Sequence, residues 1–328
     1  MISRKGHNPG CIRLVAGLVL LLCFGSCAID DDRDLCCGQP SNAMRYTYRP
    51  HGAEEFDLHI FSLRHLLFDG EGTFIREIEP GADPKLQPLS LATGRYTMLT
   101  LGNMTGNSIL NHEEFPQLDQ LLLAPAASFE GRKGIFGNTD ELFWGVRHFD
   151  VDEDGLIHDF GPDRRWSDYR APATEMNNIH CHLTVKVEWN NMPDGFGDYE
   201  MELTGVPTAC LLDPGEARKA GGFIVPAHHS TGRHRLRVPL EGYELNTDFV
   251  TLRYTDDVIP TLRIYYAGEQ VSPNIDLKQA FRKWGWYPSQ IHVQEYAIRV
   301  TLFANGRAEV SPMFEGTVSD WINGGSFS

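Results

Sequence analysis

A cysteine stands where an apolar segment stops. Residues 14–24 read LVAGLVLLLCF, eleven residues with no polar side chain, preceded by Arg4, Lys5 and Arg13 and followed by Gly25, Ser26 and Cys27. A short basic stretch, an apolar core and small residues before a cut are the three parts of a secretory signal. Eleven residues are too few to cross a hydrocarbon core as a helix, which takes about twenty. Gly25 and Ser26 let the backbone enter a signal peptidase, and a thiol at the next position is the nucleophile that takes up diacylglycerol. Residues 24–27 therefore read as a lipobox. On this reading residues 1–26 are removed, and Cys27 carries a diacylglyceryl thioether with a further acyl chain on its freed amine. Several chains anchor stably where one is marginal. The rival reading is an ordinary cleaved signal, or an uncleaved anchor, with Cys27 incidental. Cys23 is the weaker lipidation candidate because Leu21 and Leu22 precede it.

Three other constellations offer chemistry. Residues 150–155 (DVDEDG) set Asp150, Asp152 and Asp154 at alternate positions before a glycine, which is how a calcium loop begins. The twelfth position, where a bidentate glutamate belongs, is Gly161, and Asp159 and Asp163 are off the required spacing. An acidic surface turn is the plainer reading. His180 and His182 share one face of an extended segment and His228 and His229 are adjacent, but no carboxylate or cysteine is spaced to close a zinc site around them. Trp284 and Trp286 lie two apart, so on an extended segment they present one face that can stack on a sugar or a host protein; packing into a core is the default for such rings. Nucleophile-elbow, zincin, P-loop and dinucleotide-binding motifs are absent, and nothing selects a catalytic pair among the many carboxylates. The chain reads as a non-enzyme with no cofactor beyond the covalent lipid.

Composition limits the partners. Removal of residues 1–26 takes away three bases and no acid, leaving 26 basic against 44 acidic side chains, a formal charge of −18. Such a chain releases no counterions from nucleic acid and gains nothing from an anionic membrane surface. Of seven cysteines only Cys181 and Cys210 fall in the part that folds, so no disulfide framework exists; the two are either bridged or two buried thiols.

The elements that must carry these residues are strands. Residues 179–189 alternate strictly, with Ile179, Cys181, Leu183, Val185, Val187 and Trp189 on one side and His180, His182, Thr184, Lys186 and Glu188 on the other. Residues 198–204 repeat the pattern, and the turn-rich segment 190–195 between them predicts a hairpin. Further strands are expected at 45–49, 55–61, 63–68, 73–78, 96–101, 235–240, 249–254, 261–266, 296–303 and 307–312, with tight turns at 69–72 and at Asn305-Gly306. Residues 117–123 fit a short helix or a buried strand, and 276–284 fit one helix capped by Asp276. The expected layout is a signal peptide at 1–26, a lipidated flexible tether at 27–44, and two β-sandwich domains in tandem at 45–174 and 175–328.

Three stretches resemble the fimbrial anchor and tip lipoproteins of Bacteroidetes, relatives of the fimbrillins. Residues 66–74 (LLFDGEGTF) look like that family's strand, glycine turn and returning strand; residues 91–96 (LATGRY) look like its turn into the next strand. Residues 296–302, Asn305-Gly306 and residues 318–325 (VSDWINGG) are similar to the fimbrillin ending. The acidic run at 30–34, just after Cys27, resembles the signal that sends Bacteroidetes lipoproteins to the outer face of the outer membrane, though such runs are more often a solvated face. The resemblance implies transthyretin-like sandwiches, a lipid-anchored place on the outer membrane, and a part in a surface fimbria as anchor, accessory or tip subunit. Its implied partners are other fimbrial subunits, joined by β-strand addition, with a host protein or glycan beyond them. Polymerising fimbrillins are cut at a basic site after the tether; Arg33 and Arg45 are the candidates here, neither within a clear motif, which favours anchor over stalk. The alternative is a surface glycan-binding lipoprotein of a nutrient-uptake system.

Overall fold

Alternating apolar and polar residues form strands because successive side chains leave a strand on opposite sides, and each such segment needs a sheet to satisfy its backbone. The computed structural model describes residues 42–126, 128–159, 173–193, 195–213, 215, 218–220 and 223–313. The regular elements of these residues are nearly all strands, beside two short helices and a few 3-10 turns, and form a β-sandwich architecture.

Strands Ile157–Asp159, Phe143–Val151, Gly94–Gly102, Leu63–Asp69 and Phe74–Ile78 lie side by side in that order, each antiparallel to the next, and Asn177–Asn178 adds to Phe143–Val151. A three-stranded sheet of Ala173–Glu175, Ala43–Thr47 and Leu86–Pro88 packs on one face, where Met44, Tyr46 and Tyr48 meet Leu67, Met98, Phe143 and Phe149. On the other face Leu66, Phe68, Leu99, Leu101 and Trp144 are buried against Leu118, Leu121, Leu123, Ile179, Cys210, Leu212 and Leu252. Because this sheet is covered on both sides, Leu66, Leu67 and Phe68 run without a polar break.

The second half contributes two facing sheets. One has Glu244–Leu252, His180–Trp189, Gln294–Leu302 and Ala308–Pro312 in that order, with His180–Trp189 and Gln294–Leu302 parallel. The other runs Glu269–Gln270, Thr261–Tyr266, Asp198–Leu211, Ala227–Pro239 and Ile135–Phe136, with Ile275–Asp276, Leu122–Pro125 and Ser108–Leu110 attached. Cys181, Leu183, Val185 and Val187 of the first meet Tyr199, Met201, Leu203, Leu262 and Ile264 of the second in one core.

Several expected elements are present. Helix Leu277–Trp284 starts at Asp276, whose Oδ1 accepts from the Lys278 and Gln279 amides at 2.9 and 3.2 Å, and stops at Gly285, which takes a left-handed φ of 73°. Gly306 at φ 76° turns the chain between Gln294–Leu302 and Ala308–Pro312. Residues 117–123 hold a single 3-10 turn, Leu118–Gln120, before strand Leu122–Pro125.

Two expectations are corrected. Residues 55–61 contain a one-turn helix, Phe56–His59, instead of a strand: Phe56 and Ile60 both drop into the core at helical spacing, leaving Leu58 and Phe61 outside. Strands His180–Trp189 and Asp198–Leu211 do not pair as a hairpin. They belong to opposite sheets and face each other across one core. Both apolar faces point at the same core, which two stacked strands achieve as well as two adjacent ones. Cys181 and Cys210 are both free and buried, so the bridge does not form.

Candidate functional site

The residue expected to carry lipid, Cys27, lies outside the described residues, as do the lipobox and the acidic run after it.

The acidic turn closes the hairpin between Phe143–Val151 and Ile157–Asp159. Asp152 is its centre: Oδ1 accepts from the Asp154 and Leu156 amides at 2.9 and 2.8 Å, and Oδ2 lies 2.6 Å from His158 Nε2. These bonds, that of His158 first, hold the Asp152 carboxyl below its usual range. Asp150 lies 3.7 Å from Arg95, its partner on the neighbouring strand. The turn is thus built from its own backbone, and among the described residues no three His, Cys, Asp or Glu side chains gather as a metal-holding group.

Trp284 and Trp286 do not lie on an extended segment. Trp284 ends the helix, Gly285 reverses the chain, and Trp286 enters the core at 7% exposure, stacked on Tyr296 at 5.3 Å and edge-on to Phe281 at 5.1 Å. The two indoles meet each other edge to face at 4.8 Å. Helix and indoles close one side of the sandwich, between Thr261–Tyr266 and Ala308–Pro312, and Trp286 offers no ring face to a sugar.

His180 and His182 diverge. His180 is buried, with Nδ1 2.9 Å from the Leu142 carbonyl and its ring against the edge of Phe143, and burial lowers its pKa to about 4. His182 is half-exposed, 3.2 Å from Glu141. The even face of this strand is therefore dry where it enters and wet further along. Beside His180, the buried Arg253 guanidinium donates to the carbonyls of His292 at 2.6 Å, Pro288 at 3.3 Å and Ile291. Burial pulls its pKa down to about 10. It fastens the loop that follows the helix to the strand Glu244–Leu252, a role that no spacing in the sequence announces.

Among the described residues, strand Phe74–Ile78 ends the six-stranded sheet, with Ile75 46% exposed, and Ala308–Pro312 ends the four-stranded one. The remaining side of the second sandwich, between Ala227–Pro239 and Glu244–Leu252, is closed by residues from the first half of the chain. Ile135 and Phe136 pair in parallel with Arg233 and His234; Asn138 bonds both the Asp248 carbonyl and the Val250 amide; the Thr139 amide donates to the Val250 carbonyl at 2.9 Å. Next to this seam a charged network covers the sheet. Arg235 Nη1 donates to Glu200 at 2.7 Å, its Nε to the 1%-exposed Glu202 at 2.9 Å, and its guanidinium stacks on Tyr265. Burial opposes ionisation of Glu200, but Arg132 and Arg235 outweigh it and hold the carboxyl below its usual range.

No family model and no curated protein matches the chain. Solved structures do. A candidate polysaccharide-binding protein of Bacteroides thetaiotaomicron superposes with a TM-score of 0.58 at 14% identity, over 84% of this chain and 98% of its own. A candidate adhesin of Bacteroides ovatus gives 0.57 at 11% identity, over 83% and 92%. The fimbrial anchor protein Mfa2 of Porphyromonas gingivalis gives 0.50 at 14% identity, over 79% and 89%. The chain has the fold of Bacteroidetes adhesins and fimbrial anchors. The match runs through nearly the whole of each neighbour.

Proposed function

We propose that this chain is a cell-surface lipoprotein of the outer membrane that serves a fimbria as anchor or as accessory or tip subunit, joined to other subunits by β-strand addition and contributing to adhesion. It is held by lipid on Cys27, with residues 27–44 as tether and residues 45–174 and 175–328 as the two sandwich domains. The observation that carries the reading is the end-to-end fold likeness to a fimbrial anchor. Strand edges with no partner among the described residues support it, because such an edge can bind an extended peptide through main-chain hydrogen bonds. No enzymatic activity is proposed: Asp152 is bonded within its own turn, His180 is buried against Leu142 and Phe143, and Trp286 is packed in the core.

The test is a pull-down of the wild-type protein from surface-sheared fractions of its native cell, beside Cys27→Ala. Wild type is expected to bring down a ladder of one fimbrial subunit, and the variant to release that polymer into the medium. Recovery of the wild type alone, or with transporter subunits, overturns the fimbrial reading. The second reading, glycan binding in a nutrient-uptake system, draws on the neighbour named for polysaccharide binding. Burial of Trp286 removes its most aromatic platform, and a glycan array on the same preparation decides it.

A further inference from the structure

One end of the second sandwich meets the first half of the chain, where His180 lies against Leu142 and Phe143. Trp189, at the other end of the same strand, marks the opposite end of the sandwich, about 30 Å away. Three connections come together there, residues 190–197, 240–243 and 303–307. The Asn190 amide donates to the Leu302 carbonyl at 2.9 Å, and the Leu240 amide to the Gly197 carbonyl at 3.3 Å. On these connections Met192, Phe196 and Tyr243 are 60%, 65% and 53% exposed. Single apolar side chains at a surface are ordinary, whereas several on adjoining loops mark a contact surface.

The backbone around Phe196 is fixed while its ring is left outside. The Tyr199 hydroxyl donates to the Gly195 carbonyl at 2.9 Å and accepts from the Gly195 amide at 3.1 Å. The Tyr266 hydroxyl donates to the carbonyl of Phe196 itself at 3.4 Å. The Tyr266 ring lies directly on Gly195, where a β-carbon would come within 2.2 Å of it, so only glycine admits this packing. Tyr266 stacks in turn on Tyr199 at 4.8 Å, and Tyr199 on Trp189 at 5.2 Å, which ties the loop to the core. A side chain presented from a backbone already held in place loses little freedom on binding, and aromatic rings so placed are enriched as interface anchors.

Charge at this end has one sign to spare. Asp198 follows Phe196 by two residues, Glu241 precedes Tyr243 by two, and Glu269 pairs with Tyr266 across a hairpin. All three are exposed, and among the described residues none of their carboxylates makes an ion pair. The cations nearby are already engaged: Lys186 lies 2.8 Å from Glu188 and 3.0 Å from Glu244, and Arg307 lies 2.6 Å from Glu309. The exposed faces of Phe196 and Tyr243 also attract a cation, through the negative face of an aromatic ring.

We infer that this end of the second sandwich is a protein-docking surface anchored by Phe196, and that its partner is a protein segment bearing apolar side chains among lysines or arginines. Apolar contact supplies affinity and the acidic rim selects the sign of the partner. The surface is made of loops and side chains, stands apart from the strand edges invoked above, and does not depend on them.

The test uses the mature chain with Cys27→Ala and, as probe, a phage-displayed library of random dodecapeptides, with counter-selection on Phe196→Ser. An exposed ring can be removed without loss of core, so the melting temperature of Phe196→Ser should equal that of wild type and serves as the folding control. Expected are peptides that combine apolar residues with an excess of Lys and Arg over Asp and Glu. As synthetic peptides they should bind Phe196→Ser about tenfold more weakly than wild type. The triple variant Asp198→Asn, Glu241→Gln, Glu269→Gln should lose the salt dependence of binding. Acidic or uncharged selected peptides, equal binding to Phe196→Ser, or no peptide dependent on Phe196 overturns the inference. Flotation with phosphatidylglycerol vesicles, or a dimer in sedimentation, that Phe196→Ser abolishes puts lipid or a second copy on this surface and overturns the partner named.

Discussion

Acid should unfold this protein in a window set by its buried histidines. Burial lowers the pKa of His65, His180 and His234 from 6.5 to about 4, and His292 moves the same way. His65 shows why: it is 1% exposed, stacked on Tyr46 at 5.1 Å, with Nδ1 3.2 Å from the Tyr46 hydroxyl and 3.1 Å from that of Thr100, and no carboxylate touches it. Above pH 6.5 the imidazoles are neutral in both folded and unfolded chains and contribute nothing to the difference. As pH falls from 6.5 to 4 the unfolded chain takes up protons that the folded chain refuses, so stability declines, and below 4 this loss is complete. At pH 5 each histidine costs about 2 kcal/mol, from about 1.4 kcal/mol per pH unit below its ordinary pKa. Three together cost about 6 kcal/mol, against a total stability of order 5–15 kcal/mol for a folded domain. Glu77, bonded to Arg64, and Glu200, beside Arg132 and Arg235, have lowered pKa values and begin to add their own loss only below about pH 4.5. Urea titrations at half-unit steps between pH 7.5 and 4.5 read the slope directly. Wild type should lose stability steeply below pH 6.5, and His65→Gln should flatten that slope by about one proton's worth, about 1.4 kcal/mol per pH unit. A midpoint that stays level from pH 6.5 to 5, or a His65→Gln slope equal to wild type, refutes the assignment of these imidazoles as buried and neutral.

Three further outcomes can be read by thermal or chemical denaturation. Trp286→Ala should cost about 3–5 kcal/mol, because it empties a packed position against Phe281 and Tyr296; a stability change under about 0.5 kcal/mol would place the ring at the surface instead. Asp276→Ala should cost about 1 kcal/mol through loss of two amide bonds at the helix start, and Asp276→Asn should recover most of it. Gly145→Ala should destabilise by about 1–3 kcal/mol, since a methyl there meets Thr174 Cγ2 at 2.7 Å and Met176 Sδ at 2.9 Å, where the six-stranded sheet packs on its three-stranded neighbour.

Much of this fold is written locally. The alternation in residues 179–189 specifies a strand and says which side is dry; Asp276 and Gly285 bound a helix; Asn305-Gly306 and Asp69 with Gly72 make turns. Each depends on a handful of neighbouring residues, so each can be read before any contact is known. Residues 55–61 show the limit. One turn of helix and a short strand both place two apolar side chains on one side, and the core around Phe56 and Ile60 chooses.

Pairing partners are another matter. A period of two tells a strand its faces and not its neighbours, so His180–Trp189 and Asp198–Leu211 read as a hairpin although they face each other across the core. Two tryptophans two apart, Trp284 and Trp286, would share a face on an extended segment, with core packing the default; a glycine in the left-handed region breaks that segment and turns the second ring into the core. Arg253, whose partners are main-chain carbonyls, leaves no pattern in sequence at all. The sequence by itself determines the kind of element, its wet and dry sides, and the turn chemistry, because these are settled within a few residues along the chain. Only the tertiary structure decides which edges meet, that residues 135–139 seal a seam built about a hundred residues later, and which rings lose their solvent, because those outcomes depend on segments distant in sequence competing for the same hydrogen bonds and the same core.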